Sequence, residues 1–324
     1  MRAERPRSNP IPVTLALLMS FLALWAVAPG PEAKAAPLLT AAGDIACGPD
    51  SRGFNHGRGT RGRCRQLATS RLLPGADRIM ALGDIQSTHT NARNLRRGYH
   101  PTWGRYRQIT RSVIGNHEYG PPQHPHRGAR DYWRYFGERR AGPKGKGWYS
   151  FNLGRWHVVA LNSLCRESHR PRLMQRKVGC GEGSQQLRWL RHDLAQNRRK
   201  CILAAWHHPR FASGSDDWHP VSRFWGALQR AGADVVLSGH AHNYERFRRQ
   251  AADGSRSARG LRQFIVGTGG ASLAAPPTST QANSQKLLRR FGVLRLRLKA
   301  NSYRWKFVGV RGERTLDHGA SSCR

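Results

Sequence analysis

Three observations predict an α/β fold. Short apolar runs alternate along the chain with helical or loop stretches. Five of those runs stop at a small residue and then present a polar side chain able to bind a metal. Beyond the first 36 residues about 288 remain, enough for one large α/β domain. The five runs are LLTAAGD ending at Asp44, RIMALGD ending at Asp84, SVIGNH carrying Asn116 and His117, CILAAWHHP carrying His207 and His208, and DVVLSGHAH carrying His240 and His242. Buried strands that deliver polar side chains at their carboxyl ends are how an α/β sheet builds a site. Two carboxylates, an amide oxygen and three or four imidazoles meeting there suit one or two divalent metals.

The chain opens with Arg2, Arg5 and Arg7, an apolar run over residues 14–28, a Pro-Gly-Pro break and Ala33-Lys34-Ala35. That is the layout of a secretory signal peptide, and the run is short for a bilayer span. The expectation is a leader over 1–36, one domain over 37–324, and a secreted protein, extracellular or wall-associated. No later stretch is apolar enough to span a membrane. All six cysteines follow the leader, and an even number in an exported chain favours disulfides. Of fifteen possible pairings, Cys47–Cys64 and Cys165–Cys180 are favoured because each brackets a Gly- and Arg-rich loop, which leaves Cys201–Cys323. The absence of CxxC and CxxxC argues against a zinc finger.

Residues 148–153 and 155–161 read as a hairpin turning at Gly154. Leu187, Leu190 and Leu194 give residues 184–195 a helical period with Ser184 as N-cap, and 220–230 reads as a second helix. Residues 262–266, 291–298 and 303–308 read as strands, the last two alternating apolar and basic residues, which predicts an antiparallel edge with one wet, positive face. Residues 271–286 are polar and Pro-bearing, hence a mobile loop. Gly57 to Gly62 spells GxGxxG without the strand and helix a dinucleotide site needs. Gly267-Thr268-Gly269-Gly270 lacks the P-loop lysine and reads as a flexible turn at the rim of the cleft. His157, Trp103, Trp133, Trp148 and Trp189 read as structural, because no basic–aromatic repeat links the tryptophans.

With 55 Lys and Arg against 19 Asp and Glu, the formal net charge is +36. The charge suits a solubilising surface equally with attraction to polyanions such as nucleic acid.

The ordered series GD, GD, GNHE, HHP and GHAH resembles the calcineurin-like metallophosphoesterases, and the flanking sequence is closest to their secreted bacterial, purple acid phosphatase-like branch. The resemblance runs from about residue 38 to the C-terminus, and GNHEY at 115–119 with GHAHNYERF at 239–247 is its most specific part. It implies a four-layer α-β-β-α sandwich of two mixed sheets, with the metal site at the carboxyl ends of strands. It implies Asp84 as the carboxylate bridging two metals, Asp44 and His242 on the first, and Asn116, His207 and His240 on the second. His117 would face the substrate phosphate and protonate the leaving oxygen, and His208 would line the cleft. The cofactors would be two divalent or trivalent ions, Fe, Mn or Zn.

Two positions depart from the family pattern. A His two residues after the first Asp is replaced by Ala46, and the purple phosphatases' Tyr three residues after the second Asp is replaced by Ser87. The first metal loses a protein ligand by either pattern, so a water ligand or weak binding is expected there. His89 reads as an exposed loop residue rather than a substitute, and Tyr244, Glu245 and Arg246 as packing and a local ion pair. The function implied is hydrolysis of phosphate esters, monoesters favoured. The alternatives are a phosphodiesterase or nuclease acting on polyanions, and a non-catalytic polyanion-binding protein on the same scaffold.

Overall fold

A computed structural model describes residues 1, 35–120, 129–165, 179–310 and 315–324. The leader expected at 1–36 lies almost wholly outside the described residues. Two sheets form the body. The first has the order β13-β12-β11-β1-β2-β3 and the second β10-β8-β9-β7-β6-β5-β4. In chain order the strands are β1 (Leu38–Ala42), β2 (Arg78–Leu82), β3 (Thr110–Val113), β4 (Tyr149–Leu153), β5 (Trp156–Ala160), β6 (Cys201–Ala205) and β7 (Val235–Ser238). They continue with β8 (Tyr244–Gln250), β9 (Leu261–Val266), β10 (Ser284–Leu288), β11 (Gly292–Leu298), β12 (Ser302–Gly309) and β13 (Thr315–Ser322).

Both sheets are mixed. β1, β2 and β3 pair in parallel, as do β5, β6, β7 and β9, while the remaining pairs are antiparallel. The central strands β6 and β7 are fully buried runs dominated by small or branched apolar residues, because both their faces are covered. β6 makes the point: Leu203 and Ala205 enter the core that joins the two sheets, whereas Ile202 and Ala204 pack with Leu187 and Leu190 of the helix Gln185–Gln196 and Phe224 of the helix Ser222–Arg230. On the far side of the first sheet, Tyr99, Trp103, Tyr132 and Phe136 complete the fourth layer. The α-β-β-α sandwich expected from the resemblance is the fold observed.

The hairpin at Gly154 and both helices stand where the sequence placed them, and Ser184 caps its helix by accepting from Leu187 N. All three favoured disulfides are present. The late strands form the antiparallel edge, with Arg297, Arg304 and Lys306 exposed on one face.

Four features differ from expectation. β10 begins at Ser284, inside the stretch read as a loop, because its residues pair with β8. That loop is also tethered rather than loose: Ala274 N donates to His242 O and Gly214 N to Ser279 O. β8 and β13 carry mixed polar sequences whose strand character comes from their neighbours rather than from alternation. Gly267 to Gly270 is buried and not a flexible rim turn, since Gly267 N donates to Asn243 O and Gly269 N to Gly43 O.

Candidate metal centre

β1, β2, β3, β6 and β7 end at the same rim, and the residue one to three positions beyond each is Asp44, Asp84, Asn116, His207 or His240. The loops after β1 and β2 run side by side, with Asp44 N donating to Gly83 O and Ile45 N to Asp84 O. Asp44, Asp84, His240 and His242 all adopt left-handed backbone, with φ of 55°, 48°, 68° and 43°. Non-glycine residues held there cost about 1 kcal/mol or more each and concentrate at functional sites. The small residues of the motifs permit the close approach. A Cβ on Gly115 would lie 2.2 Å from Asp84 Oδ1, and one on Gly267 would lie 2.9 Å from Asp44 Oδ2.

Backbone donors orient both carboxylates. His240 N donates to Asp44 Oδ2 at 2.8 Å, and His117 N donates to Asp84 Oδ1 at 3.0 Å. The other oxygen of each then faces the imidazoles. Asp44 Oδ1, buried and without a hydrogen-bond donor, lies 3.1 Å from His242 Nε2. Asp84 Oδ2 lies 3.3 Å from His207 Nε2.

His207 Nδ1 donates to the Leu82 carbonyl at 2.8 Å, so the proton is fixed on that nitrogen and Nε2 turns its lone pair inward. Around Nε2 stand Asn116 Oδ1 at 3.1 Å, Asp84 Oδ2 at 3.3 Å and His240 Nδ1 at 3.3 Å. Four atoms able to ligate a metal thus converge, an arrangement that a cation satisfies. In the protein alone that cation is a proton. Burial disfavours a charged His207, but the Asp84 carboxylate outweighs it and raises His207 to about 10. Burial likewise opposes ionised Asp84, yet His207 and His117 hold it well below the usual carboxylate range. Burial and the neighbouring His207 lower His240 to about 4. His242 moves the other way, because Asp44 overcomes its burial.

Asp44, Asp84 and His207 each offer an atom within 4.8 Å of the others, as do His207, His208 and His240. This donor set of two carboxylates, an amide oxygen and imidazoles fits borderline or hard metal ions. On the first side stand Asp44, Asp84 and His242. Ala46 is fully buried and bonded through its backbone to Ile85 and Ser87, and His89 is exposed, with its carbonyl accepting from Asn94 Nδ2.

His117 stands at the mouth with its side chain 37% exposed. Its Nδ1 donates to the Thr88 carbonyl at 3.1 Å, and its Nε2 lies 3.7 Å from Asp84 Oδ2. His208 is buried, bonds Ser163 Oγ at 2.9 Å and stacks on Trp218 at 4.8 Å, with its ring 4.3 Å from that of His240.

Sequence reasoning passed over two supporting residues. Glu118 is buried behind Asp84 and accepts from Asp84 N, Ile85 N, Gly115 N and Thr90 Oγ1. Burial and Asp84 push its carboxyl up to about 7, against four hydrogen bonds that favour the anion. Its signal was the glutamate three residues after Gly115, the N-cap of the short helix Asn116–Tyr119. Ser272 Oγ bonds His242 Nδ1 at 2.8 Å, which directs Nε2 at Asp44. No local pattern marks that serine. Tyr244 and Arg246 form the anticipated packing and ion pair, both bonding Asp317, while Glu245 accepts from Ser213. His157 is held by Asn152 and Asp193, a structural role.

A sequence model of the calcineurin-like phosphoesterase family matches residues 65–244. The match includes every one of the clustered residues except Asp44. Purple acid phosphatase 15 of Arabidopsis thaliana is 28% identical over 109 residues, covering 32% of this chain and 18% of that protein. The matched stretch therefore spans about a fifth of that relative. Among solved structures, a purple acid phosphatase from yellow lupin (Lupinus luteus) seeds superposes with a TM-score of 0.66 at 17% identity, covering 91% of this chain and 55% of the other. GAP50, described as the anchor in the inner membrane complex of Plasmodium, superposes with a TM-score of 0.60 at 14% identity, covering 90% of both chains. At these identities the superpositions speak for the fold alone.

Proposed function

The chain belongs to the calcineurin-like phosphoesterase family, and from that premise we propose that it is a metal-dependent phosphoric ester hydrolase with a preference for monoesters. The observation that carries the reading is the convergence of His207 Nε2, His240 Nδ1, Asn116 Oδ1 and Asp84 Oδ2 on one point. Fold neighbours that include both a phosphatase and an anchor leave the decision to this chemistry.

On this reading Asp84 would serve both ions, Asp44 and His242 would hold the first, and Asn116, His207 and His240 would hold the second. Bound metal would neutralise phosphate oxygens and make a water acidic enough to attack in line. The protein's own groups do the rest. Leu82 O and Ser272 Oγ fix the two imidazoles, so that Nε2 of each faces inward. His117 Nε2 delivers a proton to the leaving oxygen, its ring steadied by Thr88 O. His208, braced by Ser163 and Trp218, borders the phosphate on the His240 side. Iron, manganese and zinc all suit the donors, and the first ion is the more weakly held because Ala46 and Ser87 supply no strong ligand. A tyrosinate ligand is missing at Ser87, so the purple charge-transfer colour is not expected. Three disulfides among the described residues support an exported protein. No helix of the described residues is long and apolar enough to cross a membrane.

A second reading, phosphodiester hydrolysis, is favoured by the net charge of +36, which attracts long polyanions. Hydrolysis of p-nitrophenyl phosphate and of bis-p-nitrophenyl phosphate by the metal-loaded protein separates the two. The monoester should have the higher kcat/KM, and a reversed order would assign the diester class. Metal-loaded, folded protein that cleaves neither would make the chain a binding protein on this scaffold.

A further inference from the structure

A cavity of about 370 Å3 is lined by Arg61, Arg65, Arg289 and Arg290 over a floor that includes Leu273 and Leu316. Strand register places it at the same end of the first sheet as the metal centre. β11 runs antiparallel to β1 with Ala41 opposite Leu294, so residues 289–291, just ahead of Gly292, lie beside the end of β1 that carries Asp44.

Arg61 lies in the loop closed by Cys47–Cys64, and Arg65 directly follows Cys64. The backbone there is joined to the segment behind His242: Cys64 N donates to Ala271 O at 2.9 Å and Arg65 N to Gly270 O at 2.7 Å. Ser272, next in that segment, holds His242 Nδ1, and Leu273 of the cavity floor follows it. Ala274 N donates to His242 O at 3.0 Å, while Arg289 Nε donates to Ala274 O at 2.6 Å. The cavity wall and the ligand His242 are therefore parts of one hydrogen-bonded unit.

Among the described residues none of the four arginines meets a carboxylate. The side chains of Arg65, Arg289 and Arg290 donate to the backbone carbonyls of Arg58, Ala274 and Arg289. Four guanidinium groups around one concavity repel one another unless an anion enters, and their planar forks match phosphate oxygens.

We propose that this cavity is a second anion site, which binds the inner phosphates of a nucleoside polyphosphate whose terminal phosphate enters the metal centre. The second clause rests on the hydrolase reading above; the binding itself does not. The aliphatic floor favours an ester with an organic group, such as a nucleoside polyphosphate, over an inorganic chain.

The test compares the wild-type chain with Arg289→Gln/Arg290→Gln and with a remote control, Arg304→Gln/Lys306→Gln, on the open face of β12. ATP and inorganic tripolyphosphate are titrated calorimetrically into each protein with EDTA present, so that binding is read without turnover. The cavity pair should weaken both ligands about tenfold and the remote pair about twofold or less. Tighter binding of ATP than of tripolyphosphate would assign part of the affinity to the floor, and equal binding would assign it to the phosphates alone. With metal restored, the ratio of kcat/KM for ATP to that for p-nitrophenyl phosphate should fall about tenfold in the cavity pair, through KM. Unchanged binding, equal losses in the two pairs, or an unchanged ratio would overturn the proposal. If no protein hydrolyses p-nitrophenyl phosphate, the monoesterase reading fails on its own, and the titrations still decide whether the cavity is an anion site.

Discussion

Glu118 sits behind the metal cluster and accepts four hydrogen bonds that fix Asp84, Ile85, Gly115 and Thr90 at once. Glu118→Gln turns an amide N–H toward backbone donors, which should cost about 1–3 kcal/mol of stability. It should also weaken metal binding about 10–100-fold, as loss of an outer partner does. Thermal melting and metal titration read the two effects separately. Ser272→Ala should lower metal affinity about tenfold with little change in melting temperature, since it frees the ring of His242 and opens no apolar core. The metal-free centre has a pH signature of its own. His207, raised from 6.5 to about 10, stabilises the fold below pH 6.5, and that contribution is lost as pH rises toward 10. His240, lowered to about 4, stabilises above 6.5 and loses its contribution as pH falls toward 4. Glu118, raised from 4.5 to about 7, loses its contribution as pH rises through that range and offsets the gain from His240, so in the chelated protein the site's contribution falls as pH rises above 6.5. Metal replaces the proton on His207, so the rise in melting temperature on adding metal should grow between pH 6.5 and 9; a constant increment would contradict the protonated His207. The clustered residues were legible in the sequence because most of them follow a short apolar run. Ser272 was not, because the chain brings it to His242 from 30 residues away.

At the scale of elements, the disulfides divide by purpose. Cys201–Cys323 joins the start of β6 to the C-terminus across 122 residues, at the end of the strand remote from His207. Replacing both cysteines with Ala should cost about 4–5 kcal/mol by loop-closure entropy while sparing kcat. Cys47–Cys64 instead pins the loop that carries Arg61 and anchors the chain just before Arg65. β11 and β12 place Arg297 opposite Arg304 and Arg295 opposite Lys306. Like charges directly opposed destabilise an antiparallel pair, so Arg304→Thr should raise stability by about 0.2–1 kcal/mol, measured by denaturant melting. Strands with a clear apolar pattern were read correctly. β8, β10 and β13 were not, because polar residues such as Arg246 and Asp317 satisfy one another only once the two sheets meet.

At the scale of the whole molecule, the two-sheet body was foreseeable from the family resemblance of five motifs spread over residues 44–242, and from little else. Alternation of apolar runs predicts parallel strands, but it cannot assign β1–β3 to one sheet and β5–β7 to another; that choice is made by antiparallel partners late in the chain. The same partition brings strand ends from both sheets to one rim, where Asp44, Asp84 and Asn116 from one meet His207 and His240 from the other. The charge of +36 acts across the whole surface and should make association with long polyanions steeply salt-dependent. A small ester such as p-nitrophenyl phosphate should feel it little. The central claim is that Asp84 unites two metals into one hydrolytic centre. Its most direct test is p-nitrophenyl phosphate hydrolysis by the wild-type protein and by Asp84→Asn, each with added Mn2+, Zn2+ or iron and with a chelator control. Turnover that the chelator abolishes and Asp84→Asn lacks is the predicted result; turnover in Asp84→Asn close to wild type would contradict it.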